Sequence, residues 1–235
     1  MTSARSSSGG LYREYYEQHG EDRNDLLRNP EVLFQSFAID RANIAALRAV
    51  NLDKGSARIL DVGCGVGAGL LQFIKLGFNP ANLSGIDLDA ERIAHARLRL
   101  PSVDIKVGDA TQIPFADSTF DLVFESTMLA TLESSEVLSA IARDMIRVAR
   151  SGGHIMLCDW RYAKKGSGVK TAISPREIAR LFDVGGATTV VTSKRGALVP
   201  PLGRRLSKSA PWLYFLVQAV LPFAVGQVTT ILRKN

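Results

Sequence analysis

The sequence predicts an α/β fold in which an open, mostly parallel sheet carries helices on both faces. Segments with strand and helix periodicity alternate from residue 57 onward, which is the order expected of a parallel sheet with helical crossovers. A glycine-rich turn follows the first predicted strand, and acidic residues end several later strands. The 235 residues, 46% apolar and 22% charged, suffice for one globular domain with a full core.

Local periodicity and helix-end signals place the individual elements. Strands are predicted at 57–62, 83–89, 103–109, 121–126, 152–160, 187–193 and 226–234, and helices at 67–77, 90–100, 134–150 and 174–184. Gly77 ends the first of these helices, and a capping box of Ser174 and Glu177 begins the fourth. Gly152 and Gly153 are expected to cap the end of the third helix. Residues 30–50 are interpreted as one or two helices that lead into the core.

The chain is predicted to divide into four parts. An N-terminal flap with helices (1–50) precedes a core (51–193), a basic and apolar lid insertion (194–226) interrupts that core, and an antiparallel last strand (227–235) completes it. The net charge of +6 is concentrated late in the chain, because residues 184–235 contain seven Lys or Arg and no Asp or Glu. The apolar run of the insertion is about fifteen residues, shorter than the roughly 20 that span a bilayer, so it is either a lid helix or an interfacial helix.

The glycine-rich turn after the first strand predicts a cofactor site. Gly63, Gly65 and Ala68 fit the G-x-G-x-x-G/A dinucleotide fingerprint, and Asp87 follows about twenty residues later. However, Asp61 lies two residues before the first glycine, where a carboxylate would repel a pyrophosphate. A carboxylate suits a ligand that carries an ammonium group, so the sequence favours S-adenosylmethionine over NAD or FAD.

Four motifs in order extend this prediction to a family. The segments ILDVGCGVG, GIDLD, VGDATQIPFADSTFDLVF and ARSGGHIMLCD, within residues 57–160, resemble class I S-adenosylmethionine-dependent methyltransferases of the small-molecule branch, which have a Rossmann-like sheet. The resemblance implies that Asp61, Gly63, Gly65, Gly67, Glu125 and Ser126 surround the methionine part, that Asp87 binds the ribose, and that Leu88, Asp109 and Ala110 contact the adenine. For Asp87 and Asp109, a helix N-cap or turn acid is the alternative role.

The residues that would act on the acceptor are less clearly marked. Many relatives carry a histidine after the fourth strand, and the segment LATLES (129–134) has none. If the acceptor is an oxygen nucleophile, it needs a base. The candidates are Asp159, His19 and Glu125, although Asp159 could instead pair with Arg161 or cap a helix, and His19 could be a solvated loop residue. Tyr12, Tyr15 and Tyr16 beside His19 could contact the sulfonium or pack in the flap.

The leading prediction is a methyltransferase that O-methylates a sugar or a lipid-linked glycan. The alternatives are a methyltransferase of a quinone-like or other lipid-like aromatic, and a non-catalytic subunit with this fold that docks on a membrane enzyme. The basic and apolar residues 204–225 suit an anionic membrane surface. Nucleic acid is not expected, because the basic residues do not alternate with aromatic ones. No metal is expected, since Cys64 and Cys158 lack ligand spacing, and the absence of a secretory signal predicts a cytoplasmic protein, peripheral to the inner face of the membrane if the tail is interfacial.

Overall fold

A computed structural model describes residues 25–163 and 169–235 of the chain. One sheet has the strand order β3-β2-β1-β4-β5-β7-β6. The strands are β1 (Ile59–Val62), β2 (Leu83–Asp87), β3 (Asp104–Val107), β4 (Phe120–Ser126), β5 (Ala149–Trp160), β6 (Thr188–Arg195) and β7 (Gln227–Lys234). The helices are α1 (Leu33–Leu47), α2 (Ala68–Lys75), α3 (Ala90–Arg99), α4 (Ser135–Val148), α5 (Pro175–Leu181), α6 (Pro200–Ser209) and α7 (Tyr214–Val220). Strands β1 to β5 are parallel and β7 is antiparallel to both of its neighbours, which confirms the predicted fold class.

The sheet brings the glycine-rich turn and the insertion to the same edge. The parallel strands β1, β4 and β5 end there at Val62, Ser126 and Trp160. Strand β7 begins there, because Gln227 pairs with Trp160 in the antiparallel register. Open α/β sheets bind ligands at the carboxyl ends of their parallel strands, so this edge is the place to search for a site.

Apolar side chains cover both faces of the sheet. Helices α4 and α5 contribute Leu138, Ile141, Met145, Ile178 and Leu181 to the cluster on one face. Helices α1, α2 and α3 contribute Ala46, Leu70, Phe73, Ile93 and Ala96 to the cluster on the other. Strands β1 and β4 alternate between the two clusters, so each strand is buried on both sides, as expected for the centre of a parallel sheet.

Two predicted helix ends differ from the structure. Helix α4 ends at Val148 and β5 begins at once, so the prediction that Gly152 and Gly153 cap this helix is wrong. Gly152 instead lies inside β5 with φ +71°, beside an irregularity in the pairing of β4 with β5. At α5, the Ser174 hydroxyl accepts from the Glu177 N–H at 3.2 Å, but the Glu177 carboxylate pairs with Arg180, so the capping box forms only in part.

The insertion contains helix α7 within the predicted apolar run and helix α6 in the basic residues before it, where the sequence analysis predicted no helix. Pro211 and Pro222 lie at the beginnings of short 3₁₀ turns that bound α7, because proline starts a helix but cannot continue one. The inner side of α7 packs on the core through Tyr214, which is fully buried and whose hydroxyl accepts from the Leu198 N–H at 3.2 Å. Helix α1 packs against β6, β7 and α6. The four-part division of the chain stays a prediction, and residues 1–24 of the flap lie outside the described residues.

Candidate active site

The turn between β1 and α2 approaches the end of β2 closely. The N–H groups of Gly63 and Cys64 both donate to the carbonyl oxygen of Ile86, at 2.8 and 2.9 Å. Gly63 and Gly65 have φ values of +75° and +53°, a region that glycine adopts without strain. A Cβ atom on Gly63 would lie 2.7 Å from Cγ of Met128. The turn therefore leaves a backbone cradle at the sheet edge that side chains would fill.

Asp61 projects from β1 towards α2 and is buried, with 3% of its surface exposed. Gly69 leaves room for it, because a Cβ atom there would lie 2.5 Å from Oδ2 of Asp61. Within the described parts of the chain, no hydrogen bond reaches this carboxylate. Burial raises the pKa of Asp61 to about 7, with a smaller contribution from the Asp87 charge, while Arg92 opposes the shift. A buried carboxylate without a partner is costly, which a bound cation would offset.

Asp87 ends β2 and faces the same turn. Its Oδ2 accepts from the Gly65 N–H at 2.9 Å, and its Oδ1 accepts from the Asp89 N–H at 2.9 Å. The guanidinium of Arg92 lies over Gly65 and 3.4 Å from Oδ2 of Asp87. Sequence reasoning missed Arg92, although its place in the first turn of α3, just after Asp87, was a signal. A carboxylate has about four acceptor sites, so Asp87 can still bind a ribose.

The remaining predicted cofactor residues stand at the same sheet edge with different exposure. Asp109 is half-buried, and its Oδ1 accepts from both the N–H and the hydroxyl of Thr111, at 2.8 and 2.7 Å. Ala110 beside it is also half-buried. Leu88 is 47% exposed, and Ser126 is exposed at the end of β4. A ligand can therefore reach all four residues. Asp109 also stabilises the local turn through its bonds to Thr111.

Glu125 and Asp159 lie beneath this surface. Glu125 is fully buried and Asp159 is 3% exposed. Oε2 of Glu125 accepts from the N–H groups of Met128 and Leu129, at 3.2 and 3.4 Å. Oδ2 of Asp159 accepts from the Ala130 N–H at 2.9 Å. A general base must reach the proton that it removes. The structure places both carboxylates under the backbone of residues 128–130, so their role as bases stays a prediction without direct geometric support.

Comparisons with known proteins identify the domain. A sequence-family model described as a methyltransferase domain matches residues 59–153. Residues 59–153 therefore form a methyltransferase domain. The chain is 32% identical over 181 residues to the phthiotriol/phenolphthiotriol dimycocerosates methyltransferase of Mycobacterium tuberculosis, covering 67% of this chain and 64% of that protein. It is 32% identical over 118 residues to the fatty-acid O-methyltransferase of Mycolicibacterium smegmatis, covering 48% of this chain and 40% of that protein.

A solved structure supports the fold of the methyltransferase domain. The S-adenosylmethionine-dependent methyltransferase from Mesorhizobium loti superposes with a TM-score of 0.59 at 17% identity, covering 82% of this chain and 98% of that one. Identity at this level speaks for the shared fold alone. The chain spans between 40% and 64% of the length of the two curated relatives, so its activity as a whole belongs to the proposal below.

The residues of the methyltransferase domain fit S-adenosylmethionine. When bound, this cofactor supplies a methyl carbon activated by a positively charged sulfur. The unpartnered Asp61 carboxylate suits the α-ammonium group, and the Gly63 and Gly65 backbone leaves the space that a ligand needs. Methyl transfer then depends mainly on the alignment of donor and acceptor, which is a task for the walls of the cleft.

Other residues singled out in the sequence have different outcomes. His19 and the tyrosines beside it lie outside the described residues, so their roles stay predictions. Cys64 is buried against Gly85, and burial raises the pKa of its thiol, as expected of a packed residue. His154 lies midway along β5, away from the cleft edge, and burial lowers its pKa. Across residues 25–163 and 169–235, no cluster of side chains suits a metal ion.

Proposed function

We propose that the chain is an S-adenosylmethionine-dependent methyltransferase that O-methylates a lipid-like acceptor at a membrane surface. The observation that carries the cofactor assignment is the buried Asp61 carboxylate beside the glycine cradle, which accepts no hydrogen bond from the described residues. In this proposal Asp61 binds the α-ammonium group, Asp87 the ribose, and Asp109 with Ala110 the adenine, while Leu88 packs on the adenine and Gly67 and Ser126 complete the methionine site.

The lipid-like acceptor has more support than the sugar or glycan acceptor that the sequence favoured. The names of the two relatives above refer to dimycocerosates and to fatty acids, and neither name refers to a sugar. The name of the second specifies O-methylation. An exposed apolar face also lies on the insertion, which leaves the sheet at the edge that carries the cofactor cradle. A long apolar acceptor matches these features better than a polar sugar does.

Helix α7 turns its apolar side outward. Leu216 and Val220 are spaced by four residues, so they share one side of the helix, while Trp212 lies in the 3₁₀ turn before it and Phe223 in the 3₁₀ turn after it. Trp212 is 76% exposed and Phe223 69% exposed. The buried side instead holds the polar Gln218, which donates to the carbonyl oxygen of Gly196. An exposed apolar face of this kind marks a surface for interaction with a protein or a membrane.

Cations lie around this exposed face. Arg195 donates to the carbonyl oxygen of Ala219 at 3.2 Å, and Arg161 donates to that of Pro222 at 3.0 Å. Arg205 is exposed on α6, whereas Lys208 is 3.4 Å from the Glu31 carboxylate and is therefore partly neutralised. Each Lys or Arg near an anionic membrane contributes about 1 kcal/mol, so the apolar face and its cations suit such a surface together. Within the described ranges, no helix has both the length and the apolar composition needed to cross a bilayer.

Methyl transfer from S-adenosylmethionine with a tritiated methyl group tests the acceptor. The purified full chain is offered a long-chain fatty acid, an isoprenoid quinol and a nucleotide sugar in parallel. We expect label in the organic phase with the first or second acceptor. Label confined to the nucleotide sugar would overturn the lipid proposal and restore the glycan hypothesis. No label with any acceptor would favour the non-catalytic subunit, which the missing histidine after β4 motivated.

Flotation with vesicles tests the membrane surface. We expect the full chain to float with phosphatidylglycerol vesicles and less with phosphatidylcholine vesicles. Replacing Trp212 and Phe223 by serine should abolish flotation, while Leu98→Ser, which changes an exposed leucine on α3, should leave it intact. Equal flotation of all variants would contradict the assignment of this face, and flotation with neutral vesicles alone would contradict the role of the arginines.

A further inference from the structure

The segment between β4 and α4 forms a wall of the cleft. Thr127 has φ +63°, and this turn of the backbone places Met128 against the glycine cradle. Cγ of Met128 lies 2.7 Å from the position that a Cβ atom on Gly63 would take. A small displacement of residues 127–132 would therefore change the space above the cradle, where donor and acceptor must meet.

Two buried carboxylates hold the backbone of this wall from below. Residues 129–131 form a 3₁₀ turn, whose first N–H groups have no partner inside the turn. Glu125 on β4 accepts from the N–H of Met128, just before the turn, and from that of Leu129, its first residue. Asp159 on β5 accepts from the next N–H, that of Ala130. Three consecutive amides are thus satisfied by side chains from two neighbouring strands.

Other bonds tie the same segment from its remaining sides. The carbonyl oxygen of Ala130 accepts from the N–H groups of Lys170 and Thr171, at 2.7 and 3.0 Å. The Thr127 N–H donates to the carbonyl oxygen of Cys158 at 3.0 Å. Hydrogen bonds from several directions therefore fix the conformation of the wall. Those to the two carboxylates lie nearest to Met128.

We propose that Glu125 and Asp159 are positioning residues for methyl transfer, which fix the backbone of residues 127–132 over Gly63 without touching the acceptor. This inference rests on the proposed methyltransferase function. It assigns these two carboxylates a different role from that of a general base, and the two roles predict different behaviour of their amide variants.

The raised pKa values of Glu125 and Asp159 agree with a positioning role. Burial and the charge of Asp159 raise the pKa of Glu125 well above its usual range, and Asp61 on β1 adds to the effect. Burial raises the pKa of Asp159 to about 7, and Arg161 lines the same small cavity as Asp159. Within the described chain, Oε1 of Glu125 is buried and has no hydrogen-bond partner. Burial thus favours the protonated form of both carboxyls, and Oε2 of Glu125 accepts from two amides.

The bonding pattern makes the two amide variants unequal. Both amides that bind Glu125 donate to the same oxygen, so the single carbonyl oxygen of glutamine in Glu125→Gln can accept both. Asp159 uses one oxygen for Ala130 and the other for the Trp160 N–H, at 2.9 and 2.7 Å. Asparagine has one acceptor oxygen, so Asp159→Asn must lose one of these bonds.

Steady-state kinetics with the acceptor identified by the transfer assay test the proposal. We expect Glu125→Gln to keep acceptor kcat/KM within about threefold of the parent, and Glu125→Ala and Asp159→Asn to lower it by about tenfold or more through misalignment. The Kd of S-adenosylhomocysteine should change less than acceptor kcat/KM in all of them, because the side chains that we assign to the cofactor, Asp61, Asp87 and Asp109, stay unaltered. Asp183→Ala is the matched control: it removes a carboxylate that binds a loop amide, that of Ala187, at the opposite edge of the sheet.

Hydrogen exchange provides a readout that does not need activity. The amides of residues 128–130 should exchange faster in Glu125→Ala and Asp159→Asn than in the parent, Glu125→Gln or Asp183→Ala. Inactivity of Glu125→Gln with normal exchange would show that Glu125 transfers a proton, which would overturn the proposal. Equal exchange in all variants would overturn it as well, and would do so even if the parent protein transferred no methyl group.

Discussion

The protonation of Asp61 should control cofactor affinity. Burial raises the pKa of this carboxyl to about 7, and only its ionised form can pair with the α-ammonium group of the ligand. We therefore expect S-adenosylhomocysteine, which keeps that ammonium group, to bind more weakly as the pH falls below 7. The variant Asp61→Asn tests this expectation, because it keeps the shape of the side chain and removes the ionisable carboxyl group.

The size of the effect follows from the pKa. With a pKa of about 7, the ionised fraction of Asp61 predicts affinity about 25-fold tighter at pH 7.5 than at pH 5.5, or about 1.9 kcal/mol. A hydrogen bond to a charged group contributes about 1.5–3 kcal/mol. Asp61→Asn should thus bind about 10- to 150-fold more weakly at pH 7.5 and lose the pH dependence over this range.

The free energy of unfolding should fall as the pH rises, whereas cofactor affinity should increase. The pKa of Asp61 is raised on folding from 3.8, so the folded protein binds more protons than the unfolded chain between pH about 4 and 7. The contribution of this group is therefore largest at low pH and is lost as the pH rises through about 7. Asp61→Asn should make the unligated protein more stable than the parent at pH 7.5, even though it binds ligand more weakly.

Isothermal titration calorimetry between pH 5.5 and 7.5 tests these expectations, with Asp121→Asn as the control. Asp121 is a half-buried carboxylate that accepts from the Arg58 N–H at the opposite edge of the sheet, and its variant should follow the parent. A parent affinity that does not change with pH would refute the reasoning. So would an Asp61→Asn variant that kept the slope of the parent.

Three further substitutions test particular contacts. Arg92→Gln removes the cation that opposes the rise of the Asp61 pKa, so S-adenosylhomocysteine should bind about two- to fivefold more weakly at pH 7.5 by calorimetry; tighter binding would mean that the ion pair of Arg92 with Asp87 competes with the ligand. Gly69→Ala places a methyl group 2.5 Å from Oδ2 of Asp61 and should lower the free energy of unfolding by about 1–3 kcal/mol in urea titrations; no change would mean that α2 shifts freely. Tyr214→Phe leaves the buried Leu198 N–H without its acceptor and should cost about 1–2 kcal/mol in the same assay, whereas a cost near zero would show that the lid is held by packing alone.

The order of strands and helices could be predicted because each element has a local signal. Glycine and proline mark the ends of most helices, and apolar runs mark the buried strands. The sequence placed the start of β5 three residues too late. Residues 149–153 follow α4 without a break, and only the pairing of β5 with β4 shows that they belong to the strand. Helix α6 was not predicted because its residues 203–209 are mainly polar and basic, and the sequence analysis searched for a helix only in the apolar run that follows them.

The positions of the candidate cofactor residues were more predictable than those of the candidate acceptor residues for a physical reason. Asp61, Gly63 and Asp87 lie next to strand ends, and parallel strands bring those ends together whatever the packing elsewhere. The positions of Glu125 and Asp159 depend on how β4 and β5 align and on the direction of each side chain, which the sequence does not show. The sequence put both acids at the ends of β4 and β5, but their burial under residues 128–130 required the structure.

The most direct test of the central claim is a calorimetric titration of one protein sample with S-adenosylhomocysteine and, separately, with NAD. The glycine turn alone fits either ligand, and Asp61 is the residue that distinguishes them. We predict saturable binding of S-adenosylhomocysteine and no binding of NAD at pH 7.5. Binding of NAD without binding of S-adenosylhomocysteine would contradict the account.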